Sequence, residues 1–215
     1  MNKNYMLKTL GQGLLDFFYP DFCVACDRKI PEGIFCKECF SQIEPLTVPV
    51  SGSLFAAVRY QKPMSTAIHR FKYRGETYLA PHLSKLLIEL FQYYRLNERI
   101  DCVIPVPLYS SRQRERGFNQ SELMARELAA RFSLPVASRI IVRVKNTPSQ
   151  TTLSEKQRMA NVAGAFQVRK PEIVKDRVCL LVDDVLTTGA TLNVCRNTLL
   201  SAGAAEVFGI ALARD

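Results

Sequence analysis

The sequence contains no apolar run approaching the roughly 20 residues that a membrane span requires. Its N-terminus also lacks the uninterrupted apolar core and small-residue cleavage site of a signal peptide. A disulfide framework is missing too. Of seven cysteines, four form two Cys-x-x-Cys pairs and three, Cys102, Cys179 and Cys195, lie alone among apolar residues, the usage of a reducing compartment. These absences predict a cytoplasmic protein. No internal repeat or low-complexity tract occurs, so the 215 residues suffice for one α/β domain of about 150 residues plus a small appendage. Acidic residues are in deficit, 20 Asp and Glu against 29 Lys and Arg for a net charge of +9. That balance favours polyanionic partners, nucleic acid or multiply phosphorylated small molecules, without choosing between them. The interleaved aromatic and basic stripe of a single-stranded nucleic-acid groove is absent.

What is present centres on Val178 to Thr191, VCLLVDDVLTTGAT. Val178 to Val182 read as a strand buried on both faces, as in a parallel sheet, ending where Asp183 and Asp184 arrive. A turn of small residues, Thr187-Thr188-Gly189-Ala190-Thr191, then opens a helix from Leu192 to about Ala202, stopped by Gly203. Such a turn presents backbone N–H groups and the positive end of the helix dipole, which suits a phosphate. A bare phosphate site would avoid paired carboxylates. Acids beside an anion site make sense when the ligand also carries hydroxyls or a divalent cation. The bland alternative is an ordinary strand-to-helix turn with a capping Thr and a solvated acid pair. The stretch resembles the 5-phosphoribosyl-1-pyrophosphate (PRPP) motif of type I phosphoribosyltransferases.

Near the N-terminus, Cys23 and Cys26 are followed after nine residues by Cys36 and Cys39. Four thiolates at this spacing can converge on one tetrahedral ion, and zinc is the expected metal. A redox Cys-x-x-Cys is the rival, but a redox pair needs no second pair. With four protein ligands the site is closed and stabilises a small module. Before it, Leu7, Leu10, Leu14 and Phe17 or Phe18 predict an amphipathic helix that docks on the body of the protein, or on a partner or membrane surface. After it, Pro45 to Ser53 reads as a linker. The predicted organisation is a helix and four-cysteine module over 1–48 and an α/β domain over 49–215.

Within that domain the patterns predict strands at Leu54–Tyr60, Cys102–Val106, Val136–Val144, Phe166–Val168 and Val207–Leu212, and helices at Met64–Phe71, about Leu83–Tyr94 and about Ser121–Phe132. Asn119 and Glu122 are placed like a capping box. Arg112, Arg114 and Arg116 fall in a loop beyond the second strand, where they would meet whatever the sheet binds. Their forks match pyrophosphate oxygens, although a solvated basic loop reads the same from charge alone. The polar stretch from Lys145 to Gly164 is a candidate lid.

The cysteine pairs, Phe71-Lys-Tyr-Arg-Gly75, Arg114-Glu-Arg-Gly-Phe-Asn-Gln120, Gln150-Thr-Thr-Leu with Arg158 and Asn161, and the PRPP stretch occur together and in order. In this they resemble the ComF family, with its ComFC and GntX-like members: a zinc module joined to a type I phosphoribosyltransferase domain, linked to uptake of transforming DNA. The resemblance implies that Asp183 and Asp184 contact the ribose hydroxyls, that Thr187, Thr188, Gly189, Ala190 and Thr191 form the 5-phosphate cradle, and that Arg112, Arg114 and Arg116 receive pyrophosphate with Mg2+. It further places Gln150, Arg158 and Asn161 in a closing lid. The expected reaction transfers phosphoribosyl from PRPP to an acceptor. The alternative is a non-catalytic PRPP sensor that binds single-stranded DNA and works with DNA-uptake proteins. No residue is evidently dedicated as nucleophile or general base toward an acceptor.

Overall fold

Backbone pairing sets the architecture. The structure, a computed structural model, describes residues 22–46, 48–50, 52–145 and 164–215. In chain order these form α1 (Lys37–Phe40), β1 (Leu54–Arg59), α2 (Met64–Tyr73), α3 (Leu79–Tyr93), β2 (Cys102–Pro105), α4 (Ser110–Arg116), α5 (Gln120–Phe132), β3 (Ile141–Arg143), β4 (Phe166–Val168), β5 (Val178–Leu186), α6 (Ala190–Ser201) and β6 (Glu206–Arg214). Four strands pair in the order β1-β6-β5-β2, every pairing parallel. A parallel sheet is covered on both faces. Accordingly β1 is buried at every position but Arg59, and β2 throughout.

The two covers are distinct. On one face α2, α3 and α5 bring Phe71, Leu87, Phe91, Met124 and Leu128 against Phe55, Val103, Leu180, Val182 and Ile210. On the other, α6 and the antiparallel β3-β4 pair bring Leu192, Cys195, Leu199, Ile141 and Phe166 against Ile104, Cys179, Leu181 and Ala211. Alternate residues of β5 and β6 thus serve opposite layers, as the two-residue strand period requires. α2 buries Met64, Ala67, Ile68 and Phe71, the spacing of one helical face. In β6, Gly209 allows β1 to approach: a Cβ there would stand 2.6 Å from the Leu54 side chain.

Three expectations shift. β5 does not stop at Val182 but runs through both acids, because pairing with β6 persists at Asp183↔Ala211, Val185↔Ala213 and Leu186↔Arg214. The single strand expected over 136–144 is divided: Val136 makes an isolated parallel bridge to Val103, Arg139 takes a positive φ of 64°, and β3 begins only at Ile141. The arginine loop is helical, forming α4. The predicted N-terminal helix over Leu7 to Phe18 and the lid residues Gln150, Arg158 and Asn161 lie outside the described residues. Among the described residues no helix is long and apolar enough to cross a membrane.

Candidate active site and four-cysteine centre

The four cysteines converge as their spacing predicts. Cys23 donates its N–H to the Arg28 carbonyl and Asp27 donates back to the Cys23 carbonyl, folding the first pair into a knuckle with Asp27 at φ 56°. Cys36 caps α1, its Sγ accepting the Cys39 N–H. The Sγ atoms of Cys23, Cys26, Cys36 and Cys39 all lie within 4.8 Å of one another, with Cys26 and Cys36 at 3.8 Å. Zn–S bonds of about 2.3 Å in a tetrahedron place sulfurs about 3.8 Å apart. This donor set therefore fits zinc, and its four ligands leave no open position for a reacting group.

The acid pair stands toward the carboxyl end of β5, the edge where parallel sheets bind ligands. Neighbouring strand residues point to opposite faces, and the two carboxylates accordingly have different partners. Asp183 Oδ1 accepts from the Ser121 hydroxyl at 3.0 Å and from the Asp184 N–H at 2.9 Å. Asp184 Oδ1 lies 2.8 Å from Lys72 Nζ, with the two side chains only 6% and 18% exposed. Its second oxygen, Oδ2, is buried with no hydrogen-bond partner among the described residues. Burial, and next the charge of Asp184, push the Asp183 carboxyl up to about 7. Burial alone would lower the Lys72 ammonium, but the Asp184 carboxylate outweighs it and the net displacement is upward. Behind Asp183 the Cys195 thiol is raised by burial and then by that carboxylate, which keeps it an inert core residue.

The turn after β5 has the geometry of an anion cradle. Gly189 takes φ 76° at the N-cap of α6, a left-handed conformation that glycine adopts without a Cβ penalty. Thr188 Oγ1 accepts the Ala190 N–H at 3.4 Å. Thr187, Thr188 and Thr191 are half-buried, while Gly189 and Ala190 are buried. A 12-residue helix thereby aims its N-terminus at the space beyond the acids.

The arginines do not act as one group. Arg112 is half-buried and close enough to Arg143 to depress its guanidinium, burial being the larger cause. Arg114 is exposed. Arg116 lies over the Tyr73 ring at 5.4 Å and donates to Gln120 Oε1. Asn119 links β2 to the acids: its Nδ2 donates to the Val106 carbonyl at 3.1 Å, and its Oδ1 accepts the Ser121 N–H at 3.0 Å, fixing the hydroxyl that reaches Asp183. The capping box is half realised, since Glu122 turns instead to Arg126 at 2.6 Å and Ser138 at 3.0 Å.

Sequence reasoning missed Lys72, Ser121 and Tyr73 as site residues. A signal for Lys72 exists: four positions after Ile68 and one after Phe71, it borders the buried face of α2, where a lysine needs a charged partner.

A family model for the phosphoribosyl transferase domain matches residues 119–215, the span from the Asn119 cap through the acids and cradle to the end of the chain. Competence protein F of Haemophilus influenzae is 32% identical over 206 residues, covering 89% of this chain and 90% of its own length. DNA utilization protein YhgH of Salmonella typhimurium is 34% identical over 198 residues, 86% of each. Among solved structures, a purine phosphoribosyltransferase from Pyrococcus horikoshii overlaps 61% of this chain and 70% of its own at 19% identity, with a TM-score of 0.38.

Proposed function

This chain belongs to the ComF family of competence and DNA-utilization proteins, and we propose that it binds PRPP at the carboxyl edge of β5 and transfers the phosphoribosyl group to an acceptor. The observation that carries this reading is the buried, unpartnered Asp184 Oδ2 on the strand that ends at the Thr187–Thr191 cradle. An acceptor oxygen buried without a donor is costly, and a ribose hydroxyl or a bound cation would satisfy it. The 5-phosphate takes the turn and the α6 N-terminus. Asp183 and Asp184 take the ribose hydroxyls. Pyrophosphate falls to the α4 side, where Arg112 and Arg116 are half-buried and Arg114 is free to reach it from solvent.

In the reaction the bond from ribose C1 to pyrophosphate breaks with its electron pair leaving on pyrophosphate, and a lone pair of the acceptor forms the new bond to C1. The acceptor's proton then passes to solvent. The transition state has oxocarbenium character, so the site must stabilise departing negative charge and exclude water. Magnesium, for which the acid pair and its orphaned oxygen are suitable donors, supplies added positive charge at the pyrophosphate oxygens when bound. Gln150, Arg158 and Asn161 belong to the lid that closes over the ligand. Cys23, Cys26, Cys36 and Cys39 hold a structural zinc, in a module that spans 1–48. The proposed biological setting is uptake of transforming DNA.

A second reading, a PRPP sensor that binds single-stranded DNA, is favoured by one surface feature. Tyr73 is 66% exposed, with Arg116 over its ring and His69 at 4.8 Å, a stacking platform of the kind that takes unpaired bases. Calorimetry with PRPP and magnesium tests the shared premise, which falls if the wild-type chain takes up no PRPP. Pyrophosphate release on adding ammonia or members of a panel of amines and bases supports transfer. DNA affinity that declines steeply with salt, without such release, supports the sensor.

A further inference from the structure

Arg70 and Lys72 sit in the last turns of α2, two residues and so roughly 200° apart around the helix. Lys72 reaches the acid pair. Arg70 reaches the cysteine knuckle: its Nη1 donates to the Val24 carbonyl at 3.2 Å and to Asp27 Oδ1 at 3.2 Å, the residues on either side of Ala25 and Cys26. Its Nε is held by both Glu76 carboxylate oxygens at 2.9 Å. Val24 packs into the main core, but beside it the loop and helix are parted by a cleft of about 390 Å3, lined by Ala25, Tyr60, His69 and Arg74 among others. Among the described residues, the polar attachment of the knuckle to α2 across that gap is the Arg70 fork. Arg70 is mostly buried and Asp27 mostly exposed, so the bond to the Val24 carbonyl, a geometric constraint, matters more than the surface ion pair.

We propose that α2 works as a lever between the metal module and the ligand site: Lys72 positions the Asp184 carboxylate, and Arg70 makes that positioning depend on a loaded four-cysteine knuckle. The inference rests on the PRPP reading of the acid pair. Four sulfurs gathered on one ion fix the backbone from Cys23 to Asp27, and with it the two groups that Arg70 grips. Without the ion that backbone has no common centre, and Arg70 retains only Glu76. The last turn of α2 then loses its outer anchor, and the Lys72 ammonium its fixed place beside Asp184. Displacement of about 1 Å in a positioned group is enough to change ligand handling strongly.

The test is a four-sample cycle measuring affinity for PRPP with magnesium on the full chain: wild type and Arg70→Lys, each metal-loaded and after chelation. Arg70→Lys keeps a cation before Glu76 but gives up the fork that spans Glu76 and Val24. We expect chelation to weaken wild-type binding about tenfold, an ordinary coupling between sites. Arg70→Lys should lose a similar factor while retaining its metal, and chelating it should add less than about twofold. Multiplying losses, or Arg70→Lys binding like wild type with metal in place, overturn the lever. If chelation unfolds the chain by circular dichroism, the loaded Arg70→Lys sample alone decides. Lys72→Met, loaded, should also bind weakly, and normal binding would remove the lever's output. Absence of PRPP binding in loaded wild type would instead sink the PRPP reading, a distinct result because every sample then fails.

Discussion

Replacing Asp184 with Asn separates the energetic role of the acid from its role toward ligand. The change preserves shape but removes the charge facing Lys72 and exchanges one acceptor oxygen for an NH2 donor. At 2.8 Å the attraction between the pair is about 6 kcal/mol in a medium of effective dielectric 20, most of it offset by the cost of burying both groups. Removing one partner leaves the desolvation of the other uncompensated, which costs about 3–5 kcal/mol for a fully buried pair. Lys72 retains 18% of its side-chain exposure, so part of its ammonium can rehydrate and about 2–4 kcal/mol is a better expectation. For a chain of this size that lowers Tm by roughly 5–15 °C. The double variant Lys72→Met with Asp184→Asn recovers part of the loss, because no ammonium is left buried without a counter-charge, although the new amide at 184 still lacks a partner. PRPP affinity should not recover with it. Thermal unfolding and calorimetry on wild type, both single variants and the double variant decide the matter. Asp184→Asn melting within about 2 °C of wild type would refute the ion pair as a structural element, since that shift corresponds to no more than about 1 kcal/mol. A stable double variant that still binds PRPP normally would refute the site.

Gly189→Ala puts a Cβ at φ 76° and 3.3 Å from Asn193 Nδ2; a loss of about 1–2 kcal/mol in denaturant unfolding is expected, together with weaker PRPP binding. The Asp183 carboxyl, raised from 3.8 to about 7, keeps its proton in the folded chain where the unfolded chain has lost it. Its contribution to stability therefore falls as pH rises from about 4 to 7 and levels off above. Asp183→Asn should flatten that part of the stability profile, and an unchanged slope would show that Asp183 ionises normally. Metal analysis should find one zinc per chain, released on titrating the thiols, and Cys23→Ser should abolish retention; a chain that folds and melts identically without metal would contradict a structural centre.

Much of the fold was legible because it is locally encoded. The runs at β1, β2, β5 and β6 are largely apolar on both faces, which suits a covered parallel sheet, and the cysteine spacing predicts convergence. The errors share a different cause. β5 continues through two acids because β6 supplies partners as far as Arg214, and no property of Asp183 or Asp184 announces that pairing. Residues 136–144 read as one strand from their branched side chains, yet Val136 is recruited by β2 and Arg139 turns the chain. Arg112 to Arg116 read as loop because charged residues at alternating positions have no apolar stripe, and α4 buries none of its residues.

The same distinction explains how little of the acid pair's behaviour the motif conveys. Two adjacent carboxylates in sequence suggest one chelating unit, but on an extended strand they point apart and answer to different helices: Asp183 to Ser121 at the start of α5, Asp184 to Lys72 at the end of α2. Burial, and next the Asp184 charge, favour a proton on Asp183. A ligand that brings hydroxyls and a divalent cation supplies what each carboxylate lacks, so binding should draw the Asp183 proton off. PRPP affinity with magnesium should then rise with pH through about 7, where Asp183 gives up its proton, and Asp183→Asn should abolish that rise. Affinity independent of pH in the wild type would mean that the ligand engages Asp184 alone.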